Sequence, residues 1–292
     1  MSPRLLVFGR SGQLAQTLGA AASPFEPVLA GRERLDLAAA DPDIAGLIAA
    51  VRPAAVINAA AFTAVDAAET ETAACNHLNR DSPARMAEAC AAADIPFVHV
   101  STDYVFDGEK GAPYVEADPR APINAYGRSK AEGEAALERV AAAGGRLAVI
   151  RTSWVFAPGG GGFLGAMLGA RDRDTVRIVD DQWSMATPAP ALATAALTLA
   201  QALADGDRAA EGLFHAAGRD GLCRADLAEA LFARLPRRPR VIRVATSDFP
   251  AAAARPRDTR LSSARLEAAF GWRAPSLDEA LDAYLAKAGA LT

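Results

Sequence analysis

Tyr126 and Lys130 stand at the two ends of Tyr126-Gly127-Arg128-Ser129-Lys130, an i, i+4 spacing that puts a phenol and an ammonium on one helix face, about one turn apart. A phenol with its ordinary pKa of about 10 is a poor acid–base catalyst at neutral pH; a neighbouring cation, together with the positive nicotinamide of an oxidised dinucleotide, favours the phenolate and makes the group useful. Ser101-Thr102-Asp103 ends an apolar run, where a hydroxyl can hydrogen-bond the same carbonyl oxygen that the phenol protonates. Each of these residues alone reads as structural, and Tyr-x-x-x-Lys is common by chance. As a set that follows a dinucleotide turn they predict proton transfer to a carbonyl beside a nicotinamide.

The turn is Gly9-Arg10-Ser11-Gly12-Gln13-Leu14-Ala15, placed between an apolar run and a helical stretch. Gly9 and Gly12 let the backbone bend tightly and approach a pyrophosphate, whose charge is met by the free N–H groups of the helix start. An ordinary strand-to-helix turn is the competing reading. At the end of the second apolar run, Arg32 favours the 2′-phosphate of NADPH, while Glu33 beside it suits the 2′-hydroxyl of NADH. Two solvated loop charges would look the same. Asp36 can bond an adenine amine or cap a helix.

These groups must be held by a regular scaffold, and the first half of the chain supplies one. Short apolar runs at 4–8, 27–30, 55–59, 97–101 and 147–152 alternate with helical stretches at 12–21, 42–51, 82–93 and 125–143. That alternation predicts an α/β fold, a doubly wound parallel (Rossmann) sheet whose strands are covered on both faces. Beyond residue 152 come a glycine-rich loop at 158–162, a helix at 163–170, a strand at 175–179, a helix at 190–204, a strand at 212–216, a Pro and Arg cluster at 235–240, and helices at 262–270 and 276–288. A dinucleotide-binding domain over 1–152 is expected, with 188–216 returning to it, and 153–292 forms mainly a smaller α/β substrate-binding lobe.

Composition narrows the function. The 292 residues are 51% hydrophobic and carry 31 Lys plus Arg against 35 Asp plus Glu, a net charge of -4; no basic field exists to bind nucleic acid. No run reaches the roughly 18 apolar residues of a bilayer span, so no membrane partner is expected, and the N-terminus reads as having no signal peptide. Cys75, Cys90 and Cys223 lack C-x-x-C spacing, and His77, His99 and His215 lack metal-ligand spacing. A reducing cytoplasm and no metal cluster follow. His99, inside an apolar strand, reads as a buried hydrogen-bonded histidine.

The motifs resemble those of extended short-chain dehydrogenase/reductases and, more narrowly, of the dTDP-4-dehydrorhamnose reductase family. The resemblance runs through Gly12-Gln13-Leu14, through Val56-Ile57-Asn58-Ala59-Ala60-Ala61-Phe62-Thr63-Ala64-Val65-Asp66, and through Ser101-Thr102-Asp103-Tyr104-Val105-Phe106. It continues in Pro122-Ile123-Asn124-Ala125-Tyr126-Gly127, Arg151-Thr152-Ser153-Trp154-Val155-Phe156, Asp181-Gln182 and Arg255-Pro256-Arg257-Asp258-Thr259-Arg260-Leu261. It implies that Tyr126 donates a proton to the sugar C4 oxygen, Lys130 binds the nicotinamide ribose and Thr102 polarises the ketone. Gln13, Leu14, Asp36, Leu37, Ala61, Phe62, Thr63 and Val100 would line the cofactor with Gly12. Thr102, Asp103 and Trp154 would contact the nucleotide sugar; Trp154 offers a flat apolar face, or equally a core aromatic.

Departures from the family pattern are Ala15 in place of the third glycine, Asp181-Gln182-Trp183-Ser184-Met185-Ala186-Thr187 for Asp-Gln-x-Gly-x-Pro-Thr, and Gly162 for an asparagine. They leave open an epimerase or a reductase of another nucleotide sugar, and, as a different class, a non-catalytic dinucleotide-binding regulatory subunit. Gln16 stands where some relatives bind Mg²⁺ through glutamate, so no metal is expected. Arg255 and Arg257 can grip a diphosphate or sit in a solvated loop. The expectation is an NADPH-preferring reductase, NADH being possible, with a nucleotide-sugar substrate, acting as a monomer or homodimer.

Overall fold

Each buried strand divides its side chains between two helical layers, as the two-residue period requires. The computed structural model describes residues 2–159 and 161–289; Gly160 of the expected glycine-rich loop lies outside them. In chain order the first half holds β1 (Arg4–Phe8), α1 (Gln13–Ala20), β2 (Glu26–Ala30), α2 (Ile44–Val51), β3 (Ala55–Asn58), α3 (Thr72–Asn76), α4 (Ser82–Ala92), β4 (Phe97–Thr102), α5 (Ala125–Ala142) and β5 (Leu147–Thr152). The rest holds β6 (Val155–Phe156), α6 (Gly162–Gly169), β7 (Thr175–Val179), β8 (Trp183–Met185), β9 (Thr187–Pro188), α7 (Ala189–Ala204), β10 (Gly212–His215), β11 (Gly221–Cys223), α8 (Arg224–Phe232), β12 (Arg240–Val244), α9 (Ala264–Phe270) and α10 (Leu277–Ala288).

Six strands form one parallel sheet in the order β10-β5-β4-β3-β1-β2. Leu5, Val7, Ala55, Ile57, Val98 and Ile150 pack on one face against α1 and the alanine-rich α7. Leu6, Phe8, Val56, Phe97 and Val149 pack on the other against α2, α4 and α5. Removing a leucine side chain from such a layer costs about 2–5 kcal/mol. The chain runs from β1 outward to β2, then crosses back to β3 and outward the other way, so a crevice opens beyond the carboxyl ends of β1 and β3. Open α/β sheets bind ligands at that crossover.

A second core joins Phe156, Leu164, Val176, Ile178, Leu222, Leu231 and Leu281, beneath the two-stranded pairs β7 with β12 and β8 with β11. Several elements escape sequence reading, among them α3, β6, β8, β9 and β11 as well as β12, α8 and a π turn. β12, Arg-Val-Ile-Arg-Val, is largely exposed, lacks the alternation that marks a half-buried strand and runs on from the Pro and Arg cluster. α8 starts from Cys223, whose sulfur accepts the Asp226 N–H in a capping box, an unusual cap residue. Residues His77–Asp81 form a π turn between α3 and α4, which is indistinguishable from α-helix in residue pattern. Among the described residues no helix is long and apolar enough to cross a membrane.

Candidate active site

α5 is anchored at its first turn. The Asn124 side-chain oxygen accepts the Gly127 N–H at 2.7 Å, and Glu69 accepts the Ala125 N–H at 2.8 Å. Gly127 is needed because a Cβ there would lie 2.1 Å from the Tyr104 carbonyl oxygen, so α5 rests on the backbone that follows β4. This contact sets the Tyr126 phenol beside Thr102, at the carboxyl end of β4. The Tyr104 ring meets Tyr126 edge-on, with centroids 5.8 Å apart. One turn on, Lys130 is 1% exposed, donates to the Val100 carbonyl at 2.7 Å and lies 2.9 Å from His99 Nε2. Phenol, hydroxyl and amine thus converge from two elements at one sheet edge.

The electrostatics differ from the expectation that Lys130 depresses the phenol. Burial pushes Tyr126 up beyond its ordinary range; the neighbouring Thr102 hydroxyl opposes this without cancelling it, and Asp103 and Tyr104 add to the rise. Lys130 itself is drawn down to about 8 by burial, against the pull of Glu134 and Cys75. With its nitrogen committed to Val100 and His99, the lysine leaves the phenol protonated. A protonated phenol is the form that donates.

The crossover crevice has a volume of about 1050 Å³ and is lined by Gly9, Gly12, Arg32, Asp36, Leu37, Ala61 and Thr63 among others. Gly9 adopts φ +119° and donates its N–H to Ala30 at 2.9 Å, a conformation that side chains strain. A Cβ on Gly12, at the start of α1, would meet nothing within 4 Å, so a ligand can approach that backbone. Glu33 forms an ion pair with Arg10 at 2.5 Å, which lowers its pKa and leaves Arg32 exposed and without a polar partner among the described residues. Asp36 accepts the Ala38 N–H at 3.0 Å; the cap of α2 is Asp43 instead. These features fit a dinucleotide with a phosphate on its ribose.

The remaining expected cofactor residues sit differently. Leu14 packs in the core, so its backbone is what faces the turn, and Gln13 points toward Ala157 and Pro158. Phe62 packs on the same buried residues as Tyr126, namely Ala68, Cys75 and Ala125, and its backbone N–H and carbonyl are both held by the Asn79 amide, at 2.9 and 3.0 Å. His77 Nε2 donates to the carbonyls of Leu37 and Ala39 at 2.8 and 3.1 Å. Asn79 and His77 both lie on the π turn, and sequence reasoning missed their roles because nothing in residue pattern marks such a turn.

On the opposite side of the crevice, Asp103 is buried, and its carboxylate accepts hydroxyls from Thr102 at 3.1 Å, Ser184 at 2.9 Å and Thr259 at 2.5 Å. Burial raises its pKa against those three bonds. The side chain expected at the substrate thereby ties β4 to β8 and orients Thr102. Trp154 is half-buried at φ +38°, a conformation that costs a bulky residue about 1–3 kcal/mol and is typical of functional sites. Over its ring, 3.6 Å from the centroid, lies the Arg224 guanidinium, which also covers Phe163 at 5.0 Å. Arg224 was invisible in sequence, being one arginine among many. Burial draws it down to about 10, with Tyr104 and Asp103 opposing; it stays cationic at neutral pH. Arg255, offered above as a diphosphate grip, is instead paired bidentately with Asp66 at 2.6 and 2.7 Å.

The chain matches the family model described as RmlD substrate binding domain over residues 3–289. It is 38% identical over 283 residues to a dTDP-4-dehydrorhamnose reductase of Sinorhizobium fredii, with 94% of each chain covered. To one of Mycobacterium tuberculosis it is 38% identical over 273 residues, covering 90% of this chain and 86% of the relative. Among solved structures, the dTDP-4-dehydrorhamnose reductase of Bacillus anthracis in complex with NADP superposes with a TM-score of 0.89 at 26% identity, covering 98% of this chain and all of the other.

Proposed function

Because the chain belongs to the dTDP-4-dehydrorhamnose reductase family, we propose that it reduces dTDP-4-dehydro-β-L-rhamnose to dTDP-L-rhamnose, with NADPH preferred over NADH. It is an NAD(P)H-dependent oxidoreductase of that family. The observation that carries the specific reading is the close approach of Gly127 to the Tyr104 carbonyl, which seats Tyr126 beside Thr102 at the sheet edge, next to the crevice that Gly9, Gly12 and Arg32 line.

When bound, the reduced cofactor supplies hydride for the sugar C4 carbon. Tyr126, protonated at neutral pH, delivers a proton to the C4 oxygen as charge develops there. Thr102, held in its rotamer beside Asp103, turns its one hydroxyl proton from that carboxylate to the ketone oxygen as the substrate binds, and so polarises it. Lys130 positions the ribose from the buried side, while Ala61, Phe62 and Thr63, braced by Asn79, close over the cofactor with Val100. Trp154 lays its ring against the nucleotide sugar. In this reading 1–152, joined by 188–216, bind the dinucleotide, and 153–292 mainly bind the substrate; β10 joining the sheet and α7 packing on α1 support it.

The test is incubation with NADPH and dTDP-4-dehydro-L-rhamnose. Loss of reduced-nicotinamide absorbance matched by formation of dTDP-L-rhamnose is expected. An unoxidised cofactor, or a different sugar nucleotide as product, overturns the reading.

A further inference from the structure

The hydrogen bonds behind Lys130 have a fixed polarity. Asn58, at the end of β3, is 1% exposed, and its side-chain oxygen accepts the Ala60 N–H at 3.0 Å. A backbone N–H only donates, so the amide atom facing it is the oxygen and the NH₂ faces the other way. That NH₂ lies 3.1 Å from His99 Nδ1. It too only donates, so Nδ1 is the bare, accepting nitrogen of the ring. A neutral imidazole with a bare Nδ1 carries its proton on Nε2, and Nε2 is the atom 2.9 Å from Lys130 Nζ.

The His99 N–H therefore points at the lysine nitrogen. An ammonium has no lone pair with which to accept it, whereas an uncharged amine has one and still donates to the Val100 carbonyl at 2.7 Å. A doubly protonated His99 would set a second N–H against the Asn58 amide, and complete burial holds this ring well below its ordinary pKa. The other ionisable groups around the amine are Tyr126 and Glu134 on α5, Cys75 on α3 and Arg151 on β5. Glu134 favours the ammonium, but its carboxylate is already bonded by Arg151 at 2.7 and 3.0 Å and by Ser101 at 2.6 Å.

We propose that Asn58 and His99 are positioning residues whose hydrogen bonds favour the uncharged amine of Lys130 over its ammonium in the free enzyme. Protonating Lys130 breaks a link: either the amine turns from His99, or the ring changes tautomer and loses Asn58. Any step that uses Lys130 as a cation must work against one of these links. That consequence for turnover rests on the reductase reading; the charge state in the free protein does not, and its test needs no substrate.

The chain has three lysines, Lys110, Lys130 and Lys287, so a protein isotope-labelled at lysine Cε gives three resonances, with Lys130 assigned by its loss in Lys130→Met. In the ligand-free wild type, Lys130 is expected to titrate at least about one pH unit, a tenfold lower proton affinity, below the other two. His99→Gln can present a carbonyl oxygen to Nζ. Asn58→Asp, nearly the same shape, draws the ring proton to Nδ1 and turns Nε2 into an acceptor. Each is expected to raise the Lys130 titration by about one pH unit or more. A wild-type Lys130 that titrates with the other lysines overturns the proposal, and so does a Lys130 that neither substitution moves.

Discussion

The Arg224 guanidinium lies 3.6 Å from the centre of the Trp154 ring, which is itself held at φ +38°. An aromatic face attracts a cation through its quadrupole and leaves the charge uncompensated, and Arg224 has no acid bonded to it among the described residues. The cation is thus available to an anionic ligand that lies along the indole. Arg224→Gln is expected to raise KM for the nucleotide sugar about tenfold or more, the worth of a hydrogen bond to a charged group, with NADPH affinity within about twofold. Arg224→Lys should not rescue it, because an ammonium lacks the planar face that stacks on Trp154. Steady-state kinetics with both substrates decide this; an unchanged sugar KM contradicts it.

Tyr126→Phe keeps the ring that packs on Tyr104 and the Ala68, Cys75 and Ala125 cluster but removes the proton. Turnover should fall by about 10²-fold or more, as for other lost acid–base groups, while cofactor binding followed by fluorescence stays nearly intact. Thr102→Val should reduce turnover less, since the phenol remains. Because burial raises the phenol pKa, Tyr126 is protonated throughout the neutral range, and no loss of its donor form is expected below a pH of about 10. Wild-type turnover in Tyr126→Phe would remove the tyrosine from the chemistry.

What was legible in the sequence were features repeated locally. The apolar runs of β1, β3, β4 and β5, continuous because both faces are covered, were placed within one or two residues, and the Tyr126, Lys130 spacing identified one helix face. What stayed hidden depends on partners far along the chain. Arg224 matters through Trp154 and Asp103, Asn79 through the backbone of Phe62, and His99 through Asn58 on a neighbouring strand. The lysine's effect on the tyrosine was misjudged for the same reason: spacing along a helix shows which groups share a face, not how deeply they are buried.

In the proposed reading, cofactor preference turns on Arg32. With Glu33 paired to Arg10 at 2.5 Å, the acid that suits a free 2′-hydroxyl is occupied, and the unpaired Arg32 faces the crevice. Arg32→Ala is expected to weaken NADPH binding about tenfold, the value of a charge-assisted hydrogen bond, and NADH binding hardly at all. Arg10→Ala, by releasing Glu33, should move the preference toward NADH without touching Arg32. Dissociation constants for both coenzymes test the pair; equal losses in Arg32→Ala would rule out the 2′-phosphate role.

His215 is fully buried, and neither ring nitrogen has a hydrogen-bond partner among the described residues. Burial, and then the positive Arg151, draw its pKa from 6.5 down to about 3. In the unfolded chain the ring takes up a proton below a pH of about 6.5; in the folded protein it does not until about 3. Between those values the unfolded state binds more protons, so stability falls as pH falls, by up to about 1.4 kcal/mol per pH unit for this one group. The buried His99 acts in the same direction. Carboxylates held low by their partners, such as Glu134 with Arg151, add their losses only below a pH of about 4.5. His215→Leu breaks no hydrogen bond of the ring and is expected to change stability little at pH about 7, while flattening the decline between about 6.5 and 4.5. Urea unfolding across that range measures it. A variant whose stability declines as steeply as the wild type would mean that His215 accepts a proton in the folded protein, and that Arg151 does not face it as the structure places it.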